Sequence, residues 1–366
     1  NGRRTIRAGG KPPARSKRVN HSGAHDPLNM KKARINILTP FLQQTFMRQL
    51  PDRLEQEGFL FSENADAEDP WDMVVVYEGL SAPRTIRCRN GGCVFISGEP
   101  PASRAYSSRF LAQFDHVISS HRHPGHPSYH RTQQALPWHF GLNRQSGQFT
   151  FRYHDMKDMA PPLKSKKISL ITSDKTMMPG HIKRMAFLQA IQKEFKDGID
   201  IFGQGIRPVA DKACALLPYQ FSLCIENAVF DHYWTEKLAD ALLAFTVPIY
   251  HGCRNLSTYF NPNAFISIDI DKPRETIDQI KTILLHADEI YSQRRESLTE
   301  ARTRLLEQYN LFPTLARFFE QHVQKHNALR QRRALYPSYH YPDHHLKMGL
   351  LRLKRYIYRR IGRYYL

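Results

Sequence analysis

The chain has 366 residues, 41% of them hydrophobic, and a formal charge of +19, which is too long for one ordinary core and suits two domains. Residues 1–32 hold nine Lys/Arg against Asp26 (+8) and residues 321–366 eleven against Asp343 (+10), so residues 33–320 carry only +1. A near-neutral body excludes a nucleic-acid surface spread over the fold, and no run approaches the roughly eighteen apolar residues of a membrane span.

Residues 1–29 are rich in Arg, Lys, Gly and Pro and read as a disordered basic extension, with Met30 as a native start. A basic arm for a polyanion is the alternative. A first domain is expected over 30–158. RINILTPF reads as a strand closed by Pro40, FLQQTFMRQLPDRLEQEGF as a helix, and WDMVVVYEG, CVFISGEPP and FDHVISSH as further strands. Glu99 follows the last residues of CVFIS, at the strand end where ligands of open sheets bind. His116, His121, His123, His126, His130 and His139 cluster downstream, but Pro124, Gly125 and Pro127 break any helix that would put two on one face. A loop over a cleft is therefore expected there and a metal is not, with Tyr129 and Trp138 as stacking surfaces.

The Pro/Lys-rich segment 159–167 reads as a linker, and 168–305 as a second domain. ISLITS is its first strand. The helix HIKRMAFLQAIQKEF follows, with Met185, Leu188 and Ile191 or Phe195 inward, and then the strand IDIFGQG. Neither GxGxxG nor GxxxxGK[ST] occurs usefully, which argues against a dehydrogenase or a P-loop enzyme. Phe221–Ile225 reads as a buried strand with Glu226 and Asn227 at its carboxyl end. Thr235 reads as the N-cap of a helix starting Glu236-Lys237, Val247–Tyr250 as the next strand, and Phe265–Ile270 as another. The helix start and the Lys237 ammonium would attract a diphosphate. Glu226 either joins that site or simply braces the turn.

Residues 306–340 are expected to be C-terminal helices and 341–366 a basic amphipathic tail. In the tail Leu346, Leu350, Leu353 and Ile357 recur at helical spacing among Lys347, Lys354, Arg355, Arg359, Arg360 and Arg363. Such a helix lies either on an anionic bilayer or on the protein's own body. The five cysteines, Cys88, Cys93, Cys214, Cys224 and Cys253, are odd in number and lack zinc-ligand spacing.

The segment Tyr219–Asp269 resembles the donor-binding signature of the α-1,3/4-fucosyltransferases, glycosyltransferase family 10. That pattern runs roughly Phe-x-Leu-x-Phe-Glu-Asn, a spacer, Tyr-x-Thr-Glu-Lys, an apolar helix and Val-Pro-Ile/Val-x-x-Gly. The resemblance implies a GT-B fold: two α/β, Rossmann-like domains facing across a cleft, here with the basic C-terminal helix appended. It implies GDP-fucose as donor, bound by Arg184 (Lys183 as rival), Asn227, Tyr233, Glu236, Lys237 and Glu226, with no cofactor or essential metal. It implies Glu99 as the base for a GlcNAc-containing acceptor, most simply at O3, with Trp138 and Tyr129 against the acceptor sugar. An anionic membrane surface is the expected partner of the tail, nucleic acid is not a partner, and the missing amino-terminal span of the Golgi relatives argues for a cytoplasmic, bacterial-type enzyme. Alternatives are a GT-B transferase for another nucleotide sugar and a non-catalytic membrane- or polyanion-binding protein on the same fold.

Overall fold

The computed structural model describes residues 33–365 apart from 42–43, 123–124, 174 and 326–327. The expected extension 1–29, Met30 and His123 lie outside the described residues. In the first lobe the chain runs β1 (Ala33–Leu38), α1 (Arg53–Gln56), β2 (Phe59–Glu63), β3 (Met73–Tyr77), β4 (Arg84–Arg89), β5 (Cys93–Ser97), α2 (Ser108–Leu111), β6 (His116–Ser119) and β7 (Tyr129–Arg131). After α3 (Tyr153–Asp158) the second lobe has β8 (Lys166–Ile171), α4 (Pro179–Phe195), β9 (Asp200–Phe202), β10 (Tyr219–Ile225), α5 (Glu236–Leu243), β11 (Val247–His251), β12 (Ile266–Ser267), α6 (Pro273–Leu285) and α7 (Ala287–Glu307). The chain closes with α8 (Leu311–Phe318), β13 (Arg330–Leu335) and α9 (Pro342–Tyr365).

Two parallel sheets result, ordered β2-β1-β3-β5-β6-β7 and β12-β11-β10-β8-β9. Their central strands β3, β5 and β10 are buried along their whole length. That burial is why MVVVY, CVFIS and YQFSLCI read as continuous rather than alternating runs: apolar layers cover both faces. Parallel strands end at one edge, so Glu78 and Glu99 of the first sheet and Glu226 of the second leave their sheets at carboxyl ends.

Four expectations about organisation change. Trp138, Phe140, Tyr153 and Met156 belong to the second lobe's core, so the chain leaves the first lobe some twenty residues before the expected boundary at 158. Between residues 44 and 58 the chain forms a short 3-10 turn (Met47–Gln49) and α1 in place of the one helix expected over 41–59, because Pro51 removes a backbone donor in mid-run. The strand expected over Phe265–Ile270 shortens to β12. Within 306–340, β13 is a strand, pairing antiparallel with β4 from Arg330↔Arg89 to Leu335↔Arg84. It is pinned by Arg330–Asp72 (2.8 Å), Arg332–Glu68 (2.8 Å) and Arg333–Asp115 (2.8 Å). Three of the eleven basic residues counted over 321–366 are thus engaged by acids of the first lobe.

The chain's return to that lobe is apolar as well. Leu311, Phe312, Leu315 and Phe318 of α8 pack with Ile35, Phe59 and Phe61, and the Phe61 and Phe312 rings meet edge-on at 4.9 Å. Asn310 caps α8 and donates to the Gln49 carbonyl at 2.5 Å. α9 forms as its spacing predicts, with Leu346, Leu350, Leu353 and Ile357 exposed.

Candidate active site

The second-lobe half of the site is a turn between β10 and α5, facing the start of α4. Glu226 is fully buried and accepts from the Thr235 N–H and hydroxyl, both at 2.8 Å. It therefore braces the turn and does not face a ligand, which corrects its place in the donor set. Thr235 caps α5 by accepting from Lys237 N–H at 3.3 Å. The Lys237 ammonium sits 3.4 Å from Glu226 and 3.3 Å from Glu236. Burial works against its charge, but Glu236 and Glu226 outweigh burial and raise its pKa. Burial pushes the Glu236 carboxyl up, yet Lys237, Lys212 and His139 together hold it well below the usual carboxylate range.

Arg184, one turn into α4, is 5% exposed. It donates to Asn227 Oδ1 at 2.6 Å and to the Ser173 carbonyl and hydroxyl at 3.3 Å, while its Nε has no partner among the described residues. Its rival Lys183 points outward to Asp271 at 2.7 Å. A buried guanidinium held by neutral oxygens is costly until an anion meets it. α4 opens on Met178 and Pro179 with no side-chain cap, so its first N–H groups add to the same positive field. The two elements touch closely: a Cβ on Gly180 would lie 2.0 Å from the Asn227 carbonyl oxygen. Tyr233 is buried, its ring stacked on Phe230 at 4.7 Å.

His181, also in the first turn of α4, is buried. Burial, then Arg184, Lys175, Lys237 and Arg355, pull its pKa down to about 3. The unfolded chain, with an imidazole near 6.5, binds this proton first, so the contribution is full above that value and is lost as pH falls towards 3. His181→Gln should flatten the acid loss of stability between pH 6.5 and 4 by up to about 1.4 kcal/mol per pH unit, read from urea midpoints.

The first-lobe half is built on Glu78, a residue that sequence analysis did not single out. It follows β3 with φ of +64°, and burial raises its carboxyl pKa. Its Oε1 receives the N–H groups of Gly98 and Glu99 (2.7 Å for Glu99), and its Oε2 receives the Tyr106 hydroxyl at 2.9 Å. The Glu99 carbonyl meets His121 Nε2 at 2.5 Å, so the backbone of this loop is fixed on both sides while its carboxylate reaches solvent. The signal was present in VVVYEG, an acid directly after a buried run, the same pattern that marked Glu226.

The two halves face each other. The His121 ring lies 6.1 Å from Phe230, Arg131 lies 3.5 Å from Asp231, and Tyr233 feels Glu226 and Glu236 of its own lobe together with Glu99 and Glu78 of the other. Both expected stacking residues fall elsewhere. Trp138 is 1% exposed in the second lobe's core, its backbone bonded to Gln49 and Arg48 where the chain changes lobes. The Tyr129 hydroxyl donates to the Ser119 and His121 carbonyls, and its ring packs on the first lobe's core. His116 and His130 meet at 3.1 Å beside His322, as packing around Phe318; no metal-holding group of three or more His/Cys/Asp/Glu is found among the described residues.

Two facing parallel sheets, with anion-seeking cations at the helix starts of one and an accessible carboxylate at the edge of the other, are the arrangement of the GT-B fold. Residues 161–303 match the family described as glycosyltransferase family 10 (fucosyltransferase) C-term. An alpha-(1,3)-fucosyltransferase of Helicobacter pylori is 26% identical over 228 residues, 56% of this chain and 47% of that protein. An alpha-(1,4)-fucosyltransferase of Arabidopsis thaliana is 43% identical over 53 residues, 14% of this chain and 13% of that protein. The chain thus spans about half the length of the bacterial relative and less of the plant one. A crystal structure of an alpha1,3-fucosyltransferase with GDP-fucose is 18% identical, with a TM-score of 0.49 over 81% of this chain and 92% of that one.

Proposed function

We propose that the chain is an inverting fucosyltransferase moving L-fucose from GDP-fucose to a GlcNAc hydroxyl of a glycan, at O3. The observation that carries this is the pair Arg184 and Lys237, gathered by α4 and α5 on one side of the cleft that Glu99 faces from the other. Arg184, Asn227 and Lys237 are assigned to the diphosphate, with Glu236 orienting Lys237. Glu99 takes the acceptor proton as the sugar–phosphate bond breaks on the opposite face of the fucose, and the two cations stabilise the departing GDP. The reading needs no metal because side-chain cations fill that role. The test is transfer from GDP-fucose to N-acetyllactosamine with nucleotide competition. Fucosylated product, blocked by GDP and not by UDP, supports it; blocking by UDP instead points to another nucleotide sugar, and lipid or polyanion binding with no GDP affinity to a non-catalytic protein.

We propose further that α9 rests on an anionic membrane surface. Leu346, Leu350, Leu353 and Ile357, from 46 to 69% exposed, share a helix with Arg352, Lys354 and Arg360. No helix among the described residues is long and apolar enough to cross a membrane. Sedimentation with phosphatidylglycerol vesicles, at least tenfold weaker for Leu350→Glu/Leu353→Glu, is the expected result; equal sedimentation removes the proposal.

A further inference from the structure

α9 is more than an appendage to the second lobe. On the first lobe Lys347 donates to the Tyr106 carbonyl at 3.3 Å and Arg355 to the Ser103 carbonyl, while on the second Arg359 reaches Met177 Sδ at 2.8 Å. The helix therefore straps both lobes, and its inner face closes a cavity of about 440 Å³ whose lining includes Glu99, Arg104, Tyr106, His344 and Arg355. The candidate base and three residues of the C-terminal helix, His344, Met348 and Arg355, thus share one chamber.

The polar groups of that chamber are unbalanced. Arg104 is 3.7 Å from the buried Glu78 carboxylate and donates to the Glu78 carbonyl, so it is already matched. Arg355 has a backbone carbonyl as its partner, and among the described residues no carboxylate lies within ion-pair distance of it. Its Nε and the Nδ1 of His344 are both shut off from solvent without a hydrogen-bond partner among the described residues. Taken in the tautomer with its proton on Nδ1, His344 offers with Arg355 Nε a pair of buried donors beside an unpaired cation, which leaves free energy to be gained by an anion that reaches them. Glu99 is the one acid of the lining and stands at the strand end of the first lobe, whereas the unmatched donors come from α9.

Resting on the fucosyl-transfer reading above, we infer that the acceptor is an acidic glycan, whose carboxylate, sulfate or phosphate substituent is held by Arg355 and His344 while the reacting hydroxyl lies at Glu99. Arg355 is then a specificity-determining residue supplied by the C-terminal helix, and selection among acceptors is built into the strap.

The experiment measures binding, without turnover, of N-acetyllactosamine and its sulfated and sialylated forms by calorimetry in the presence of GDP. Wild type should bind at least one acidic form about tenfold more tightly than the neutral parent. Arg355→Gln should erase that preference, Arg355→Lys should keep part of it, and Arg352→Gln, outside the cavity, should keep all of it. Equal affinities of the three glycans, no binding of any, or a preference that survives Arg355→Gln overturns the inference. Because no transfer is read, a protein that fucosylates neutral glycans yet shows equal affinities loses only this inference, and one that keeps the charge preference without fucosylating loses only the activity.

Discussion

Glu99→Gln should lower fucose transfer by about 10³-fold while leaving GDP binding unchanged. The loop around it is fixed by groups that the substitution does not touch: its N–H is held by Glu78 at 2.7 Å and its carbonyl by His121. The carboxylate itself is exposed, so the amide should fold with an unchanged melting temperature, and the loss should fall on kcat rather than on donor affinity. A general base is irreplaceable by an isosteric amide because the amide has no basic lone pair at neutral pH. If transfer stays within about tenfold of wild type, Glu99 is not the base. Glu78 is then the next carboxylate to test, since burial has raised its pKa and Tyr77 feels both acids.

Lys237→Met should cost both stability and turnover, and the two losses are separable. Removing the ammonium leaves Glu226 and Glu236 facing each other behind the turn, with side-chain exposures of 0 and 18%, so about 3 kcal/mol of destabilisation is expected. Turnover should fall about a hundredfold, since the cation acts on charge that grows on the leaving diphosphate. Pairing the change with Glu236→Gln removes one of the stranded carboxylates and should recover most of the stability but none of the rate. A variant that folds normally and turns over within about threefold of wild type would take Lys237 out of the mechanism.

The second lobe was largely legible in the sequence because its strands and helices obey local rules. YQFSLCI, VPIYH and the first half of ISLITS (Ile168, Ser169, Leu170) are buried on both faces, and Thr235 marks the start of α5 by its own hydroxyl. The placing of Asn227 and Lys237 at one turn followed from the strand-to-helix order, whereas Arg184 came from the family resemblance alone. What the pattern could not convey was burial: Glu226 and Trp138 carry the right chemistry for a ligand, but the first is enclosed by Thr235 and the second by the partner lobe's core. Long-range placement was equally hidden. Nothing local in RQRRAL says that its arginines meet Asp72, Glu68 and Asp115 more than 200 positions away, because the acids that make it a strand are brought there by the fold. The tail helix was legible as amphipathic, whereas its inner face, with Arg355 beside Glu99, depends on two lobes being present at once.

The return of α8 and β13 to the first sheet sets the order in which this protein can be completed on a ribosome. The hydrophobic face formed by Ile35, Phe59 and Phe61 is made early, yet the side chains that cover it, from Leu311 to Val323, leave the exit tunnel only after the whole second lobe. A nascent chain halted near residue 305 holds almost every strand and helix of the second lobe but an open, sticky first lobe. The first lobe is therefore the one that needs chaperone cover for longest, and premature stop codons between residues 305 and 323 should deplete the protein by aggregation rather than yield a shortened enzyme.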